Sequence, residues 1–152
     1  MAEYVNIYRS FPTGYQAMRV LEDACAGALD PGLFELVKLR GSQINGCAYC
    51  IDMHYKDARA LGETEERLYM LQAWRESTLY TDAERAALAL TDEVTLIADG
   101  HVPSDVEAAA RQHFDEKAYA ALVFTIATIN AWNRLAITSH AQPGRYQPKV
   151  RD

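Results

Sequence analysis

Residues 46–54 read Gly-Cys-Ala-Tyr-Cys-Ile-Asp-Met-His (GCAYCIDMH), and the rest of the chain is organised around them. On an α-helix, at roughly 100° per residue, positions 0, 3 and 7 of the segment from Cys47 fall at about 0°, −60° and −20°. Cys47, Cys50 and His54 therefore share one narrow stripe. Asn45-Gly46, directly upstream, is a turn or helix-stop signal, so Cys47 opens a new helix and Cys50 lies in its first turn. Unpaired backbone N–H groups and the positive end of the helix dipole favour a thiolate there, and a nearby imidazole can take or hold the proton. These residues read as a redox-active dithiol.

Upstream, Asp30-Pro31 opens a helix, with the acid as N-cap and the proline at the first helical position. Leu33, Phe34, Leu36, Val37 and Leu39 carry it toward Ile44, and Glu35 sits among them. If the chain doubles back at Asn45-Gly46, the antiparallel neighbour of Glu35 falls near position 56, within a turn of His54. A carboxylate and an imidazole then face each other across the hairpin.

The remaining segments also show helical spacing. The residues ending Ser10-Phe11-Pro12-Thr13-Gly14 carry no clear period and are expected to run extended; from Tyr15, Met18, Leu21, Ala24, Cys25 and Leu29 mark an amphipathic helix. The CxxC helix continues through Tyr55, Ala58 and Leu61 and closes at Gly62; Glu63-Thr64 caps a further helix bearing Leu68, Leu71 and Trp74. Thr81 with Glu84 and Ser104 with Glu107 read as capping boxes opening helices of about 82–98 and 105–113. The last helix, about 115–138, is apolar around most of its circumference and is expected to be central to the core, in a subunit contact, or both. No segment alternates as a strand does, so the class is all-α, a single domain over 1–152 with an irregular tail from about 142.

Composition narrows the function. A formal net charge of −6 gives no electrostatic footprint for nucleic acid or an anionic membrane, which leaves a small-molecule substrate or a protein partner. Three cysteines, two of them in a CxxC, are not the even set of a secreted disulfide framework, and the N-terminal residues lack a signal pattern; a cytoplasmic location is expected. The apolar stretch 118–137 is broken by Thr125, Thr128, Asn130, Asn133 and Arg134, which argues against a bilayer span.

Peroxide reduction needs a low-pKa attacking thiol, a resolving thiol within reach and a proton donor for the leaving group. Cys47, Cys50, His54 and Glu35 supply these parts. Their spacing, E-x11-C-x2-C-x3-H, resembles the signature of the AhpD-like alkylhydroperoxidases within the carboxymuconolactone decarboxylase superfamily, over a core of about 30–99. The resemblance implies an all-helical fold with the CxxC at the N-terminus of a central helix, Cys50 as the peroxide-attacking thiol and Cys47 as the resolving one. It further implies His54 and Glu35 as a proton relay, a homo-oligomer (trimer or hexamer), and regeneration by a dithiol or lipoylated-protein reductant. No cofactor or metal is expected. Known peroxidases of the group carry histidine just before the second cysteine; Tyr49 stands there here and is a further site candidate. A phenol with an ordinary pKa of about 10 is a poor base near neutrality.

Three other readings keep some of these residues. A zinc site could use Cys47, Cys50, His54 and Glu35, although no second Cys or His pair completes it. A redox-sensing module would use the dithiol to change assembly, and a non-peroxidase member of the superfamily would not depend on it. Cys25 reads as a small buried hydrophobe, and His101, His113 and His140 as surface or capping residues. Trp74, Trp132 and the nine tyrosines read as core and interface filling.

Overall fold

A computed structural model describes residues 4–148. These residues form eight α-helices and no strand: α1 (Ile7–Ser10), α2 (Pro12–Ala26), α3 (Pro31–Asn45), α4 (Ala48–Ala60), α5 (Glu65–Met70), α6 (Asp82–Thr95), α7 (Ser104–His113) and α8 (Glu116–Thr138), with a 3-10 turn at Leu71–Ala73 after α5.

Local chemistry sets the ends of α3 and α4 as expected. Asp30 accepts the Leu33 backbone N–H at 3.0 Å, with Pro31 following it. At the other end Gly46 takes the left-handed conformation, φ +67°, which a side chain would disfavour. Its N–H bonds to Gln43 O and that of Cys47 to Ser42 O, so the last carbonyls of α3 are satisfied and the chain reverses within two residues. This reversal delivers Cys47 as the N-cap of α4.

Helix α3 is the centre of the molecule, packing against α4, α6 and α8. Leu36 and Leu39 join Leu68, Leu71, Trp74 and Leu88 on one side; Leu33 and Val37 join Ala87, Leu90, Leu122 and Ile126 on the other. Burying each of these large side chains contributes about 1.5–3 kcal/mol. At Gly41 an added Cβ would stand 3.1 Å from Ile129 Cγ2, so the absent side chain lets α3 and α8 approach closely.

Two expectations are corrected. The N-terminal residues are not extended throughout: α1 forms at Ile7–Ser10, capped by the Asn6 side chain, and α2 starts at Pro12, which suits a first helical position. Ser104 is not an N-cap, because Pro103 O already accepts from Val106 and Glu107, leaving Ser104 one position too late to cap. The Thr81–Glu84 capping box does form. Helix α8 is a core helix as expected, packed against α2, α3, α4 and α6, its buried residues making a stripe through Leu122, Ile126, Ile129, Asn133 and Ala136 while Phe124 and Ile137 face outward.

By length and composition α8 would pass as a membrane span, although nearly half of its most apolar window is covered by the rest of the chain. Its polar interruptions serve the packing instead. Asn45 Nδ2 donates to Asn130 and Asn133 Oδ1, both at 2.9 Å, and Asn133 Nδ2 donates to Ser42 Oγ at 3.0 Å. Amides paired in this way, around the buried Asn133, fix the register of α3 against α8.

Candidate active site

Both thiols are free and almost fully covered, Cys47 1% and Cys50 2% exposed. They form a small cluster with Ala136 of α8, apart from the two main core clusters. As N-cap, Cys47 accepts the backbone N–H of Cys50 on its sulfur at 3.4 Å. The Cys50 thiol donating to it is the largest cause that lowers Cys47 to about 7; burial opposes this, and backbone N–H groups and the Asn133 amide assist. Cys50 is pushed up, first because its proton is held by Cys47 and then by burial. The two thiols thus act as a bonded pair, with the anion favoured on the sulfur that caps the helix. The helix end favours the anion on the residue that caps it, and that residue is Cys47.

One turn further along α4, His54 Nδ1 lies 2.8 Å from Glu35 Oε2 of α3, the cross-hairpin pair anticipated from spacing. His54 is 2% exposed. Burial, followed by the charge of Lys38, pushes its pKa below the ordinary 6.5 and outweighs the bond to Glu35. The ring is neutral at pH 7, so Nδ1–H donates to the carboxylate and Nε2 keeps its lone pair. Nε2 is buried without a partner among the described residues.

Asp57, also on α4, brings a second carboxylate to this pair. Ligand atoms of Glu35, His54 and Asp57 lie within 4.8 Å of one another, and this is the donor cluster that assembles among the described residues. The four-donor zinc arrangement of Cys47, Cys50, His54 and Glu35 does not assemble. Asp57 is raised by burial and accepts the Tyr146 hydroxyl at 2.7 Å. The irregular segment after α8 is thereby tied to α4, with further bonds from Lys56 to Tyr146 O at 3.0 Å and from Gly144 N–H to Asp52 at 2.9 Å.

Cys50 lines a cavity of about 680 Å³, and Cys47 is not among the lining residues. Tyr49 lines it too, its phenol raised chiefly by burial. Trp132 and three further tyrosines, Tyr8, Tyr15 and Tyr146, complete an aromatic wall. The N-terminal helices fold across α8, so Tyr15 meets the Trp132 ring edge-on at 5.8 Å. Trp74 is buried in the core as expected. Cys25 is buried on α2, and His101, His113 and His140 are exposed.

Three residues at the site escaped the spacing argument. Asn133 offered one signal, an amide on the buried stripe of an apolar helix. Asp57 lay in the legible register, three residues beyond His54. Tyr146 offered none.

Residues 11–93 match the carboxymuconolactone decarboxylase family. The uncharacterized protein YdfG of Bacillus subtilis strain 168 is 44% identical over 138 residues, which is 90% of this chain and 94% of that protein. The structure of a protein of unknown function from Agrobacterium tumefaciens, described as a candidate antioxidant defence protein AhpD, superposes with a TM-score of 0.90 at 36% identity, over 95% of this chain and 100% of that one. The debrominase Bmp8 shares the fold, with a TM-score of 0.77 at 19% identity over 90% of this chain and 74% of its own. With its helical architecture and the E-x11-C-x2-C-x3-H residues at one site, the chain belongs to the AhpD-like group of the carboxymuconolactone decarboxylase family.

Proposed function

We propose that the protein is a thiol-dependent peroxidase that reduces hydrogen peroxide or organic hydroperoxides through Cys50 and Cys47. The supporting observation is the placement of two mutually bonded thiols at a helix N-terminus, with only Cys50 on the wall of a cavity and a Glu35–His54 pair one turn on. The pair shares one proton at rest, with the charge favoured on Cys47. That proton passes to Cys47 as the Cys50 sulfur attacks the peroxide; the O–O bond breaks, Cys50 becomes a sulfenic acid and the alkoxide takes the proton from Cys47. The Cys47 thiolate then attacks the sulfenic sulfur, forming the disulfide. The departing hydroxide takes a proton from solvent by way of His54, so one thiol, one thiolate, ROOH and a solvent proton become a disulfide, ROH and water. An external dithiol, such as a lipoylated protein, returns the pair to the reduced state by exchange. A cytoplasmic trimer or hexamer belongs to the same reading.

Peroxide consumption by single variants tests it. Cys50→Ser should abolish consumption, a loss of at least about 10³-fold. Cys47→Ser should give a single turnover that halts at the sulfenic acid. The lowered Cys47 thiol favours a second reading in which Cys47 attacks first, and that reading predicts the opposite pattern.

A further inference from the structure

Hydrogen peroxide would leave most of the cavity beside Cys50 empty: two waters occupy roughly 60 Å³ of liquid, against about 680 Å³ here. That volume suits a small organic ligand. Aromatic rings form much of its wall. Tyr8 and Tyr15 pack edge-on at 5.5 Å and Trp132 meets both, an arrangement that accepts another ring by offset or edge contact.

The charges around this wall run against those of the whole chain. The protein carries a net −6, yet the cavity is lined by Arg9, Arg19 and Lys38 against one acid, Glu22. Lys38 is buried and spent on Glu22, which also accepts the Trp132 indole N–H at 3.0 Å. Arg19 meets only the exposed Asp23 at 3.5 Å, a surface pair of little strength. The Arg9 guanidinium has no acidic partner among the described residues. Two cations are left to meet a ligand that brings its own negative charge, and guanidinium groups bind carboxylates through paired N–H donors.

Resting on the peroxidase reading, we propose that the cavity selects an aromatic hydroperoxide bearing a carboxylate, with the ring against Tyr8, Tyr15 and Trp132, the carboxylate on Arg9 assisted by Arg19, and the peroxide group at Cys50. Reduction follows the balance given above, yielding the matching aromatic alcohol, water and the Cys47–Cys50 disulfide.

The test compares cumene hydroperoxide with its para-carboxylate, which differ in the anionic group alone, by the rate at which each consumes thiols of the pre-reduced protein. The carboxylate should react about tenfold faster, the worth of one charge-assisted hydrogen bond at a partly open site. Arg9→Gln should bring the ratio toward one, and Arg9→Lys should retain part of it. Equal rates in the wild-type protein, or a ratio that Arg9→Gln leaves intact, would overturn the proposal. Binding of the inert alcohol 4-(2-hydroxypropan-2-yl)benzoate against its methyl ester, read by tryptophan fluorescence, requires no peroxide chemistry. If neither peroxide reacts but the acid binds about tenfold tighter than the ester, the pocket assignment stands and the peroxidase reading fails. If both bind equally, the pocket assignment fails whatever the rates.

Discussion

Asp92 on α6 and Glu35 on α3 are buried to the same degree, each 6% exposed, and are treated in opposite ways. Asp92 accepts Arg40 Nε at 2.6 Å and Nη2 at 3.2 Å, Arg75 Nη2 at 3.1 Å and the Trp74 indole at 3.2 Å. Glu35 has a single hydrogen-bond partner among the described residues, His54, whose other nitrogen has none. A buried charge surrounded by donors joins helices and resists change. A buried carboxylate–imidazole pair with an unused lone pair leaves a proton position open. The first arrangement holds the fold, and the second is the one on which the proposed peroxidase chemistry draws.

Replacing each residue in turn breaks this contrast most directly. Asp92→Ala strands the Arg40 guanidinium and the Trp74 indole and should cost about 3–5 kcal/mol, lowering the thermal midpoint by roughly 10 °C. Well below that midpoint, peroxide consumption per folded molecule should be preserved. Glu35→Gln and His54→Gln should do the reverse: activity falls about 10²-fold, while the midpoint moves by a few degrees at most. A Glu35→Gln protein that unfolded as readily as Asp92→Ala but kept full activity would erase the distinction.

Much of this contrast was legible in sequence because it is local. Asp30-Pro31 and Gly46 fix both ends of α3, and once the reversal at Gly46 is known, the meeting of Glu35 with His54 follows from helical rise. Cys47 and Cys50 were placed by the same stop signal. What spacing could not supply was anything contributed across the chain. Asn133 approaches the thiols from α8, Trp132 turns to the cavity because α2 folds over it, and Tyr146 reaches Asp57 from an irregular segment. Spacing marks the start of a helix but does not show which sulfur receives the N–H; here it is Cys47.

Two smaller effects sharpen the comparison. Asn133→Ala removes the amide near both sulfurs, so the Cys47 thiol should rise from about 7 by roughly half a unit to one unit, followed by thiolate absorbance against pH. Smaller still is the acid limb of stability. His54 binds its proton less readily folded than unfolded, so its contribution is complete above the ordinary value of 6.5 and is lost as pH falls through it. Unfolding free energy of the wild-type protein should therefore decline more steeply below pH 6.5 than that of His54→Gln, by at most about 1.4 kcal/mol per pH unit.

Thiol titration of the reduced protein before and after one equivalent of cumene hydroperoxide, with peptide mapping of the product, tests the central claim most directly. Loss of two of the three thiols and a new bridge between Cys47 and Cys50, with Cys25 untouched, is the predicted result. Three thiols surviving the dose, or oxidation falling on Cys25, would contradict it.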